Sequence, residues 1–127
     1  MSNIILQHFD GELRELDKLS IDNIKKYAAA IGADYELIRG KPFREHLTAA
    51  CQKVHMISEA YDEYDDVLMV DIDMFVPKGM NLNVFEQVGC GLYNPIQKNL
   101  HRRLAGSNLR LQDAPYWGGA IYKFNKQ

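Results

Sequence analysis

The sequence predicts an α/β fold, a mixed but mainly parallel sheet flanked by helices in one small domain spanning 1–127. Three observations carry this. Val67-Leu68-Met69-Val70 is a run of four apolar residues, too short for a helix and suited to a strand buried on both faces, the parallel-sheet pattern. Ahead of it, strand-like runs alternate with stretches of helical periodicity. The chain has 127 residues, 46% hydrophobic and 25% charged, enough for a single core and ordinary for a globular protein.

The first strand is Ile4-Ile5-Leu6-Gln7-His8-Phe9, ended by the turn dipeptide Asp10-Gly11. Ser20 suits a helix N-cap, and Ile21, Ile24, Ala28 and Ile31 follow at helical spacing until Gly32 stops the run, with Lys25 and Lys26 on the wet side. Tyr35 to Gly40 reads as the second strand, broken by Lys41-Pro42, with Arg39 at its carboxyl end. A second helix is predicted over Glu45 to Tyr61, with Leu47, Ala50, Val54, Ile57 and Tyr61 as its buried stripe. His46 and Lys53 flank that stripe as residues at the rim of a cleft would. Lys53 is either a surface lysine or a mobile point charge for a phosphate or for Asp71.

The acidic stretch Asp62-Glu63-Tyr64-Asp65-Asp66 reads as a solvated approach to the central strand. Past Asp73, Pro77 and Gly79 open a loop, and Asn83 to Val88 suits one or two helical turns. Gly89 to Pro95 suits a short strand entering a turn, Gln97 to Ala105 a short basic helix with Lys98, His101, Arg102 and Arg103, and Gly106 to Ala114 a polar loop. Ala120 to Phe124 alternates as a last strand.

The chemistry concentrates at Asp71-Ile72-Asp73. In an extended chain these carboxylates point to one face, roughly 7 Å apart, just beyond the carboxyl end of a buried strand. Paired carboxylates there call for a cation, and a divalent metal of the Mg²⁺ or Mn²⁺ kind takes carboxylates together with substrate phosphates. The same pair also suits a plain acidic strand exit.

A hydrophobic strand ending in Asp-Ile-Asp, preceded by a helix and the lead-in Tyr-Asp-x-Tyr-Asp-Asp, resembles the DXD core of GT-A glycosyltransferases. The resemblance implies a Rossmann-like sheet that binds a nucleotide-sugar through Mn²⁺ or Mg²⁺, with UDP-linked hexoses as the default donor. It extends over most of the chain. Lys53 matches a basic residue facing the donor site, and Tyr116-Trp117-Gly118-Gly119-Ala120 looks like the small-residue turn lining the sugar pocket. By the same resemblance Gln7, His8 and Phe9 meet the base and ribose. Phe9 is alternatively a core aromatic, and Trp117 a core anchor. Asp73 is the firmer metal ligand, Asp71 binds metal, ribose or both, and Lys53 shares the charge of the departing diphosphate. Metal binding should weaken as pH falls toward about 4, where carboxylates protonate.

Two departures stand out. Family members usually carry a further metal ligand, often His, after the sugar-pocket strand, and inverting members an acidic base just beyond it. Neither is evident here, Asp113 being the nearby acid left unassigned. The reading is therefore of a minimal or truncated enzyme that transfers a hexose to an unknown glycan, protein or small-molecule acceptor, or slowly to water. The alternatives are a non-catalytic nucleotide-sugar-binding or assembly subunit and a haloacid-dehalogenase-type phosphatase. Phosphatases of that type open the chain with their Asp-x-Asp strand, whereas here it lies past the middle.

The net charge of −2 gives no case for nucleic acid or an anionic membrane. Cys51 and Cys90 fit no metal spacing and suit a reducing compartment. With no signal-like or membrane-length apolar segment, a cytoplasmic protein is expected, with homo-oligomerisation as a way to cover exposed edges.

Overall fold

The structure is a computed structural model describing residues 2–86 and 121–125. It is a mixed α/β domain. The strands are β1 (Asn3–Phe9), β2 (Asp34–Arg39), β3 (Asp66–Val70) and β4 (Ile121–Asn125), in the order β2-β1-β3-β4. β1 pairs parallel with both β2 and β3, and β4 lies antiparallel along β3. The sheet is thus mainly parallel, as the buried apolar run of β3 requires: all five of its residues are buried.

Strand alternation divides the core. Ile4, Leu6, Val67 and Met69 face one side, where Ile38, Met56 and Tyr61 join them. Ile5, Leu68 and Val70 face the other, against Ile24, Tyr27 and Ala28 of the helix α1 (Glu15–Ile31) and Phe85.

α1 begins earlier than its apolar period suggests. Ser20 is not the N-cap but a fully buried interior residue. Arg14 is the cap, and Asp17 closes a capping box by accepting from the Arg14 backbone N–H at 2.9 Å. The buried stripe runs Asp17, Ser20, Ile21, Ile24, Tyr27 and Ala28, and its first two members are polar, which hides the first turn from a hydrophobicity count. At the other end Gly32, at φ 73°, takes the left-handed position, and its N–H reaches back to the carbonyls of Ala28 and Ala29.

The predicted helix over Glu45 to Tyr61 is corrected. Arg44 turns the chain with φ 44°, and short 3₁₀ segments follow at Ala49–Ile57 and Glu59–Tyr61. They are separated at Ser58, whose extended backbone (ψ 151°) cannot continue a helix. The stripe shifts accordingly. Gln52, Met56 and Tyr61 are buried, Leu47 is half-buried, and Ala50, Val54 and Ile57 are exposed. Gln52 replaces missing backbone bonds by accepting from the Phe43 N–H at 2.8 Å.

The acidic lead-in is less solvated than expected. Asp66 is buried within β3 and accepts from the Asn125 side chain, and Asp65 accepts from the Ser2 N–H. In β4 the apolar Ile121 and Phe124 are exposed and Lys123 is buried, so its alternation does not place the apolar side inward. Val84–Glu86 forms a single 3₁₀ turn. No helix among the described residues is long and apolar enough to cross a membrane.

Candidate active site

The carboxyl ends of β1 and β3 open onto a cleft of about 290 Å³. β1 contributes His8 and Phe9, the entry to α1 contributes Asp10 and Arg14, and the 3₁₀ segment contributes Ala49, Ala50 and Lys53. Asp71, Ile72 and Asp73 close the remaining side. Parallel pairing produces this arrangement, because it brings the ends of β1 and β3 out on the same edge.

Asp71 and Asp73 are not held on an extended strand. β3 ends at Val70, and the next four residues form a turn in which the Met74 N–H donates to the Asp71 carbonyl at 3.1 Å. The turn keeps both residues on the cleft wall while freeing them from strand alternation. Asp71 is ion-paired with Lys53, and both side chains are partly screened, at 30% and 25% exposure. The Lys53 ammonium also lies 5.9 Å from the centroid of the Tyr122 ring.

A cation absent from the sequence reading stands at the cleft. Arg14 donates to Asp17 through Nε and Nη2, both at 3.0 Å, as a bidentate fork. Asp17 is fully buried whereas Arg14 is 69% exposed, so a buried carboxylate holds an accessible guanidinium in place. The pairing holds the Asp17 carboxyl below the usual carboxylate range and raises the Arg14 pKa, with a smaller contribution from Asp73. The spacing Arg14-x-x-Asp17 was the available signal, since i,i+3 partners meet on a helix. Asp10 also lines the cleft, although Asp10-Gly11 in the sequence signals only a turn.

The three β1 candidates separate. Phe9 lines the cleft, half-buried. His8 also lines it, with Nε2 2.6 Å from the Gly40 carbonyl; a carbonyl can only accept, so Nε2 carries a proton there. Gln7, by contrast, is fully buried behind the site, and its amide is spent on Ser20, Tyr35 and the Asp71 carbonyl. Trp117, Gly118 and Gly119 lie outside the described residues, as do Cys90, Lys98, His101, Arg102, Arg103 and Asp113.

No group of three or more His, Cys, Asp or Glu side chains among the described residues is placed to hold a metal. Asp71 and Asp73 are two carboxylates on one turn, fewer than a closed all-protein cage requires.

No family model matches the chain, and no curated protein matches it in sequence. Among solved structures, the chain is similar to a glycosyltransferase involved in the glycosylation of the major capsid of PBCV-1. The TM-score is 0.63 at 13% identity, covering 99% of this chain. The chain spans 61% of the length of that protein. At this identity the likeness speaks for the fold alone. The chain shares its fold with that glycosyltransferase.

Proposed function

We propose that the chain is a metal-dependent glycosyltransferase domain that binds a UDP-linked hexose at the Asp71–Asp73 turn and transfers the sugar to an acceptor. The observation that carries this is the turn itself. Two carboxylates and the paired Lys53 stand at the carboxyl edge of a parallel sheet, in a cleft that also presents Arg14 and Phe9. The glycosyltransferase fold supports the reading.

In this reading Asp71 and Asp73 hold Mn²⁺ or Mg²⁺, which when bound offsets charge gathering on the leaving diphosphate. Lys53 is within reach of the same charge. Its present partner is Asp71, and an ammonium on a flexible stem can exchange one anion for another at little cost. Phe9 offers an apolar face for the base and His8 a polar edge beside it. The resemblance assigns the sugar to Trp117, Gly118 and Gly119, which lie outside the described residues.

Calorimetric titration of UDP-glucose and UDP-galactose, each with Mn²⁺ and with chelator, tests the proposal. Binding that needs the metal supports it. Equal binding with chelator removes the metal from the proposal, and no binding under any condition removes the donor site. Release of UDP over time then separates an enzyme from a donor-binding subunit, and light scattering at working concentration tests self-association.

A further inference from the structure

Gln7 is a polar residue in a strand position where its neighbours Ile4, Ile5 and Leu6 are apolar and buried. The parallel register sets Leu6 beside Met69, which brings Gln7 level with the end of β3. Its Nε2 donates to the Asp71 carbonyl at 3.2 Å and to the Ser20 hydroxyl at 3.1 Å, and its Oε1 accepts from the Tyr35 hydroxyl at 2.7 Å. The orientation of the amide follows from chemistry: the Asp71 carbonyl can only accept, so nitrogen must face it. Ser20 passes the chain on, donating to the Met74 carbonyl at 2.7 Å.

The first and last carbonyls of the turn are therefore both held from the α1 side. That of Asp71 accepts from Gln7 and from the Met74 N–H, which occupies both of its lone pairs and fixes its direction. Holding that peptide plane narrows the directions the Asp71 Cα–Cβ bond can take, so the carboxylate is left only its side-chain rotamers. An apolar residue at position 7 would take a partner away from the Tyr35 hydroxyl, the Ser20 hydroxyl and the Asp71 carbonyl together, so the amide at this position ties β2, α1 and the turn to one another.

We infer that Gln7 is a positioning residue: with Ser20 and Tyr35 it sets the geometry of the turn that carries Asp71 and Asp73. Its bearing on ligand binding rests on the donor-site reading above, whereas its hold on the turn does not.

The test compares the full chain with Gln7→Met, which keeps the shape and removes the hydrogen bonds, and with Ser20→Ala, which leaves Gln7 in place and frees the Met74 carbonyl. Amide exchange is followed over 71–76 and over β3, and Mn²⁺ affinity is measured with UDP present. The turn amides should exchange about tenfold faster in Gln7→Met and less so in Ser20→Ala, with β3 unchanged. Mn²⁺ affinity should fall roughly 10–100-fold, as for other groups that orient metal ligands. Turn protection equal to wild type, or loosening spread evenly over the turn and β3, would overturn the inference. If Gln7→Met does not fold, Ser20→Ala decides by the same criterion. A wild type that binds neither Mn²⁺ nor UDP defeats the donor-site reading, and the exchange comparison still decides the role of Gln7.

Discussion

On one side of the Asp71–Asp73 turn, α1 reaches the following chain through side chains spaced three and four apart. Ser20 donates to the Met74 carbonyl, Asn23 exchanges two bonds with Val76, and Tyr27 bridges the Leu82 carbonyl and the Val84 N–H. On the other side the Ala49–Ile57 segment meets the turn through Lys53. The first wall is a set of fixed neutral bonds over a packed apolar layer. The second is 3₁₀ backbone with exposed Val54 and Ile57 and a partly exposed ion pair. On the proposed function this contrast becomes a division of labour, with one wall holding the chain that follows the turn and the other rearranging when a charged ligand arrives.

The largest expected effect separates the walls by stability. Ile24→Ala on the α1 side should cost about 2–5 kcal/mol, and Ile57→Ala on the open side within about 1 kcal/mol, read from urea melts. Equal losses would erase the distinction.

Next comes Lys53→Met. A partly exposed pair contributes little to folding, so stability should change by less than about 1 kcal/mol, while affinity for UDP-glucose with Mn²⁺ falls about tenfold. A large loss of stability with unchanged binding would make Lys53 a strut rather than a ligand-facing charge.

The smallest effect is a pH dependence on the α1 side. The folded pKa of Asp17 lies below its ordinary value of about 3.9, so its contribution is present above that value and is lost as pH falls through the folded pKa. Asp17→Asn should be less stable than wild type at pH 7, with the gap closing below about pH 4 in urea melts at stepped pH. A gap that stays constant to pH 2 would mean that the charge of Asp17 does not support the Arg14 cap.

The β3 apolar run, the ends of β1 and β2, and Gly32 as a helix stop were legible because each depends on local pattern or on backbone freedom. The Asp71–Asp73 pair and Lys53 were legible as chemistry, although their arrangement in a turn was not. What escaped was held by side-chain bonds across long sequence distances. The first turn of α1 was hidden because Asp17 and Ser20 are buried polar residues, and burial of that kind becomes intelligible only once Arg14, Gln7 and Met74 are seen beside them. The Glu45 to Tyr61 stretch has helical periodicity, but Arg44 and Ser58 break it by backbone conformations that neither residue type announces.

In the proposed function the turn after β3 holds a divalent cation jointly with a nucleoside diphosphate. The most direct measurement is the electron paramagnetic resonance signal of free Mn²⁺, titrated with wild type and with Asp73→Ala, each with and without UDP. Wild type with UDP should remove the free signal at equimolar ratio, and Asp73→Ala should remove it at least tenfold less effectively. An Asp73→Ala variant that captures Mn²⁺ with UDP as well as wild type does would contradict the proposed function.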